Sequence, residues 1–368
     1  MMRALLTTVL ATALTATAPT ISTPAVAAPA VAAPAVAAPA ITVPRLPAPT
    51  GSHPVGTLTR ELVDTSRADP WVPSERRRLM VTLWYPAAAP SGDRARYVTP
   101  EESALLLAAQ GLPAGDLLSR VRTHSFTAAP PARGRLPLVI LSPGFGLPRS
   151  SLTLLGEDLA SHGYAVAAVD HTYESAAITF PGGRTTTCRA CEIEDAPGLV
   201  PAVRSADVSF VIDRLAAERP GLIDPARIGM AGHSIGGNSA ARAMGDDVRI
   251  DAGADMDGAF VVPPPAGGLA RPFLLLGTPD VPTWAENWPL LTGWRRWAEV
   301  AGAEHDSFTD YPVLAEQLGL PAGALPGPRA TAITRAYLRA FFDVHLRGRS
   351  GALLNGPSPA YPEVTFRG

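Results

Sequence analysis

A serine inside a glycine turn, two histidines after it and two aspartates between them are the residues best placed to do chemistry. Gly232-His233-Ser234-Ile235-Gly236-Gly237 follows the apolar run "RIGMA" and opens a stretch of helical character. A serine at such a strand-to-helix bend is held above the edge of a sheet, and flanking glycines remove Cβ atoms that would clash there. A helix starting at Ile235 directs its free amides at the same point, which favours developing negative charge. The hydroxyl becomes a nucleophile if a base takes its proton and an acid orients that base. In turns of this type the chain order is serine, acid, histidine. Two histidines follow Ser234. His305 lies in "VAGAEHDSF", a loop straight after an expected strand, and is the candidate base. His345 falls in the last turn of the closing helix, where a cation suits the helix dipole, so it is read as structural. Two aspartates compete as the acid: Asp257 closes "IDAGADMDG" and Asp280 closes "FLLLGTPD". Spacing leaves both open. Asp255 lies one pair deeper in its strand and is expected to be too buried to reach His305.

A tetrahedral intermediate at Ser234 needs backbone donors. One is the amide of Ile235. The other is expected in Pro143-Gly144-Phe145-Gly146, the turn after "PLVILS". Pro143 has no N–H, so Phe145 is the candidate, and its glycine neighbours let that backbone approach an ester closely. One such donor is typically worth about 3 kcal/mol of barrier. The turn does not fit a dinucleotide loop, because Pro148-Arg149 stands where a third glycine is needed. Cys188 and Cys191 form a C-x-x-C pair. Carboxylates are the only nearby partners, which argues against zinc. A small disulfide loop made in an oxidising compartment is the expectation. No metal and no cofactor are expected.

The elements that must position these residues follow from the hydrophobic pattern. "RLMVTLWYP", "LPLVILS", "YAVAAVDH", "RIGMAGHS", "RIDAGADMDG", "RPFLLLG" and "RRWAEVAG" read as strands. "SSLTLLGEDLASHG", "AVRSADVSFVIDRLAAE", Ile235–Met244 and Ala330–His345 read as helices, the first ending at Gly163 with His162 near that end. Apolar strands alternating with helices imply an α/β fold with a mostly parallel sheet, helices on both faces, in a single domain. In such sheets the active site lies at the carboxyl ends of the strands. Residues 97–130 read as an insertion with an apolar helical stretch around Leu105 to Leu118, either a lid or lipid-surface segment or a part of the packed core.

The chain has 368 residues, 46% hydrophobic and 17% charged, an ordinary globular balance. It contains no lysine and carries a formal net charge of −2, so no broad basic field is expected to hold nucleic acid. Most arginines are read as dispersed and solvated. Residues 1–27 read as a secretory signal peptide, with Arg3, an apolar stretch and Ala25-Val26-Ala27 before the cleavage site. Residues 28–53 read as a Pro/Ala-rich linker, and 54–368 as the catalytic domain. A secreted protein without a transmembrane segment is expected.

"LPLVILSPGFGLPRSSLTLLGEDLASHGYAVAAVDHTYESAA", "GHSIGG", "ADMDGAF" and "VAGAEHDSFTDYP" occur in one order. Together they resemble the plasma-type (group VII) platelet-activating factor acetylhydrolases and their bacterial relatives, from about Thr57 to the closing helix. The resemblance implies an α/β-hydrolase fold with Ser234, Asp257 and His305 as a triad and the Phe145 and Ile235 amides as the oxyanion hole. It also implies calcium-independent removal of short or oxidised acyl chains from phospholipids. The chain departs from the animal enzymes at Pro143, where they carry His, and at Phe145, where they carry Leu. Actinobacterial cutinases and polyester hydrolases share the G-H-S-x-G-G turn, and a resemblance to them implies Asp280 instead.

Overall fold

The computed structural model describes residues 43–367. The expected signal peptide, 1–27, and residues 28–42 of the expected linker lie outside the described residues. The strands are β1 (Val55–Ala68), β2 (Arg76–Pro86), β3 (Arg94–Arg96), β4 (Arg122–Thr127), β5 (Leu136–Ser142), β6 (Ala165–His171), β7 (Ile178–Thr179), β8 (Thr185–Thr186), β9 (Ile223–His233), β10 (Ile250–Met256), β11 (Phe273–Gly277), β12 (Arg295–Val300) and β13 (Val364–Arg367). The helices are α1 (Pro100–Ala109), α2 (Thr153–Ser161), α3 (Ala196–Glu218), α4 (Ile235–Asp246), α5 (Trp284–Asn287), α6 (Tyr311–Gln317) and α7 (Gly327–Arg347).

One sheet runs in the order β13-β12-β11-β10-β9-β5-β6-β2-β1-β4-β3. From β6 to β12 the neighbours are parallel. The β1–β2 hairpin adds antiparallel strands beside β6, and β13 closes the other edge. The parallel strands are apolar on both faces because each face has its own helices to cover it. Leu138 and Ile140 of β5 pack against Val208 and Val211 of α3 and Met244 of α4. Val139 and Leu141 of the same strand pack against Leu155 of α2 and Phe341 of α7. This is the mostly parallel, doubly covered sheet of the α/β-hydrolase fold.

Three expectations change. Residues 43–53 belong to the fold, although they read as linker: the Leu46 side chain is fully buried. Its amide donates to Arg122 O at 3.0 Å, and Arg122 N returns a bond to Pro44 O at 2.9 Å. Residues 97–130 are built into the molecule rather than laid over it. β4 pairs with β1, and Leu106, Leu107 and Leu118 share an apolar cluster with Leu46, Leu154 and Leu314. The apolar stretch there is two pieces, not one helix. A capping box between Thr99 and Glu102 starts α1, and the chain turns at Gly111, φ 70°, before a short turn of helix at Leu117–Arg120. Finally, β1 and β13 were not expected as strands at all.

Leu46→Ala should cost about 2–5 kcal/mol of unfolding free energy by urea denaturation. A loss below about 0.5 kcal/mol would restore residues 43–53 to the linker.

Candidate active site

Ser234 sits between β9 and α4 with φ 56° and ψ −130°, a region costly for any residue with a Cβ. Neighbouring backbone fixes it there. Its amide donates to Met256 O at 2.9 Å, and its carbonyl accepts from Gly237 N at 2.8 Å. The chain packs so closely that a Cβ on Gly236 would overlap Ser142 O, and one on Gly237 would overlap the Asp255 carboxyl. Asp255 is fully buried, and Oδ1 accepts from Gly258 N at 2.7 Å. Burial and the neighbouring Asp257 push its carboxyl well above the usual range.

His305 Nδ1 donates to Asp257 Oδ2 at 2.6 Å. The other oxygen of Asp257 accepts from Thr278 N at 2.6 Å and Thr278 Oγ1 at 2.8 Å. Burial raises the Asp257 carboxyl, but the bonds from His305 and Thr278 outweigh it and hold the group below its ordinary value. The bond to Asp257 raises the His305 imidazole against its partial burial. That bond fixes Nδ1–H and leaves Nε2 as the basic nitrogen, on a side chain 53% exposed. His233, fully enclosed, donates from Nε2 to His305 O at 2.8 Å. Burial and the neighbouring His305 push it down to about 4, so it holds the loop as a neutral ring.

The other candidates lie elsewhere. Asp280 is 78% exposed and pairs with Arg367 at 2.8 Å. His345 packs against Trp294 and Phe341, with ring centroids 4.4 and 4.9 Å away. Burial lowers it to about 4, so it is a neutral aromatic filler rather than the cation its helix-end position suggested. The amides of Phe145 and Ile235 have no acceptor among the described residues. Their side chains share a cluster with Trp71, Tyr173 and Cys188, and Cys188 is joined to Cys191.

A buried ionic network behind the Pro143–Gly146 turn escaped the sequence reading. Arg204 donates from Nη1 to Pro143 O and to Ser142 Oγ, and from Nε to Glu174 Oε2 at 2.8 Å. Glu174 O accepts from Gly146 N at 2.9 Å, so this pair grips both ends of the turn. Arg77 pairs with Asp69 at 2.9 Å, Glu174 at 3.2 Å and Asp207 at 2.6 Å. His171 donates from Nδ1 to Asp207 at 2.9 Å. Burial works against the Asp207 anion, but Arg77 and His171 hold the group far below its ordinary range. Arg77 and Arg204 are buried, exceptions to a set of arginines read as mostly solvated. A signal was present: Arg204 lies at i−4 from Val208 and i−7 from Val211, on the buried stripe of α3.

The parts that acyl transfer needs are present: a serine on a strained backbone, an oriented imidazole and two free amides, although among the described residues no hydrogen bond joins Ser234 Oγ to His305. An apolar groove of about 330 Å³ is lined by Leu106, Leu112, Leu118, Tyr311, Leu314 and Leu318, with Glu304 and Asp306, the chain neighbours of His305, in its wall.

Comparison with known proteins adds to the geometry. Residues 42–186 match the family model described as platelet-activating factor acetylhydrolase, isoform II. A protein of Arthroderma benhamiae named probable 1-alkyl-2-acetylglycerophosphocholine esterase is 28% identical over 260 residues, 63% of this chain and 66% of that one. The platelet-activating factor acetylhydrolase of Cavia porcellus is 29% identical over 156 residues, 33% of this chain and 35% of that one. The chain thus spans just under two thirds of the fungal relative and about a third of the guinea-pig enzyme. A ferulic acid esterase from Streptomyces cinnamoneus superposes with a TM-score of 0.82 at 47% identity, covering 89% of this chain and 100% of that one.

The His305 imidazole should titrate above the ordinary 6.5, because Asp257 stabilises its protonated form. Asp257→Asn removes that charge, so the titration followed by NMR should move down, to or below 6.5. Asp280→Asn should leave it in place. A His305 midpoint indifferent to Asp257 would separate the two groups.

Proposed function

This chain belongs to the platelet-activating factor acetylhydrolase family of α/β-hydrolases, and from that premise we propose that it is a secreted serine carboxylic-ester hydrolase. In this reading Ser234 is the nucleophile, His305 the general base and Asp257 the acid that orients it. The bond between His305 Nδ1 and Asp257 carries the reading, since it leaves Nε2 as the proton acceptor. His305 takes the Ser234 proton as the oxygen attacks the ester carbonyl. The oxyanion accepts from the amides of Ile235 and Phe145. His305 then protonates the leaving alcohol as the tetrahedral species collapses to an acyl-enzyme. Water enters by the same roles, returning the acid and free Ser234. No cofactor enters this scheme.

For the substrate, the family and its named relatives support short or oxidised acyl esters of phospholipids. The leucine-lined groove, whose wall includes the chain neighbours of His305, gives an apolar chain somewhere to lie. A second reading, a general short-chain or aromatic carboxylesterase, draws on the ferulic acid esterase, whose similarity runs over far more of the chain. A cutinase or polyester role belongs to the same branch. Export is supported by the N-terminal pattern and the joined Cys188 and Cys191. Among the described residues no helix is long and apolar enough to cross a membrane.

Ser234→Ala should abolish p-nitrophenyl acetate hydrolysis and labelling by a fluorophosphonate while the protein stays folded. Retained turnover would refute the assignment. Asp257→Asn should lower kcat by on the order of 10⁴-fold, and Asp280→Asn should leave it within a few-fold. Comparing kcat/KM for an sn-2 acetyl phospholipid, an oxidised phospholipid, methyl ferulate and polyester film decides between the substrate readings. Preference for methyl ferulate would displace the lipid.

A further inference from the structure

Nothing in the proposed chemistry uses the far edge of the sheet, where β3 and β4 lie. Five strands, β5, β6, β2, β1 and β4, stand between β9, which leads to Ser234, and β3. At that edge a groove of about 450 Å³ is lined by Arg45, Arg94, Arg96, Arg120, Arg122 and His124, with no acidic side chain in its wall. The concentration runs against a chain whose net charge is −2. One carboxylate answers it: Asp116 pairs with Arg120 at 2.7 Å. The side chains of Arg45, Arg96 and Arg122 have no carboxylate partner among the described residues. Arg94 is held in place, with its guanidinium 4.0 Å from the Phe126 ring centre and donating to His124 O. Gathered guanidiniums repel one another, and an anion between them relieves that repulsion.

A second cavity, of about 650 Å³, adjoins the groove and shares Arg94, Ala95, Arg96 and Thr123 with it. Its walls carry hydroxyls, among them Thr57, Thr82, Thr99, Thr123, Ser125 and Ser150, together with the acidic Asp93 and Glu102 and the basic Arg149. The buried oxygen of Thr57 has no hydrogen-bond partner among the described residues. Both volumes fall in the ~300–1,000 Å³ range of small-molecule sites.

We propose that these joined cavities form a second binding site, separate from Ser234, for a polyhydroxylated carboxylate of the uronic-acid oligosaccharide class. Guanidinium forks match carboxylates in bidentate geometry. Threonine and serine hydroxyls donate and accept, as sugar hydroxyls require. A bare anion would leave the hydroxyl-lined cavity unused. A membrane surface fits less well, because Val121 and Ala95 are the aliphatic residues in the arginine groove. Such a site would tether the enzyme to an acidic polysaccharide while the ester is cleaved at the other side of the sheet.

Calorimetric titration of the full chain with trigalacturonate, maltotriose and inorganic phosphate tests this. Trigalacturonate should bind at least about tenfold more tightly than either control and weaken as salt rises. Arg96→Ala/Arg122→Ala should lower its affinity about tenfold or more, with p-nitrophenyl acetate turnover within twofold of the parent. Arg45→Ala, outside the sheet, gives a second reading should the double variant misfold. The proposal falls if trigalacturonate does not bind, if maltotriose or phosphate binds as tightly, or if the variants bind as the parent does. It falls equally if phosphatidylglycerol vesicles bind and trigalacturonate does not.

Discussion

The backbone at Ser234 is held where its own side chain disfavours it, and the surrounding structure must supply the restraint. A residue with a Cβ at φ 56° and ψ −130° costs about 1–3 kcal/mol. Relaxation is blocked from several sides at once. β5 lies so close behind Gly236 that no side chain fits between, and the Asp255 carboxyl occupies the space beside Gly237. Met256 O takes the Ser234 amide, which ties the bend to the neighbouring strand. Burial there disfavours the charged form of Asp255 and raises its carboxyl well above the usual range.

The opposing turn, Pro143–Gly146, is restrained by electrostatics rather than by packing. Arg204 and Glu174 grip its two ends, and Arg77, Asp69, Asp207 and His171 complete the network. Burying so many charges is a weak source of stability, since desolvation cancels much of the attraction. Its worth lies in orientation. The charges come from the β1–β2 loop and β2, from the end of β6 and the segment after it, and from α3, so three stretches of chain must agree before all are paired. A misplaced turn would strand a guanidinium without a partner, at a cost of several kcal/mol. The free amide of Phe145 is thereby presented from a turn with few alternatives.

Much of this was legible in the residues. The bend at Ser234, the loop position of His305 and the strands β5, β6, β9, β10, β11 and β12 follow from apolar runs broken by glycine, because both faces of those strands are buried. β1 was not legible: Val55–Ala68 mixes Thr, Arg, Glu and Asp, since much of one face meets solvent, and its pairing with β2 decides its state. β13, four residues at an edge, carries too little pattern to read. Leu46 sits among prolines and alanines, where composition reads as linker, and its burial depends on α1 and α6 arriving from distant parts of the chain. The ionic network was hidden for a related reason. A charged residue among apolar neighbours reads as surface until its partners, over a hundred residues away, are known.

The choice between Asp257 and Asp280 shows what register adds. Both follow strands and both have positive φ, so local pattern treats them alike. In the sheet, His233 of β9 stands beside Met256 of β10, and Met256 beside Leu276 of β11. The residues just past these pairs, Ser234, Asp257 and the Gly277–Thr278 step, therefore line one edge in sequence order of the strands. Thr278 bonds to Asp257, and the loop after β12 returns His305 to the same carboxylate. Asp280 lies two residues beyond Thr278, on a turn already leaving the edge, and reaches Arg367 of β13 instead. A one-residue slip between β9 and β10 would turn Asp257 away and bring Met256 or Gly258 into its row. The parallel register, set by the two apolar cores, is thus what selects the carboxylate that meets His305.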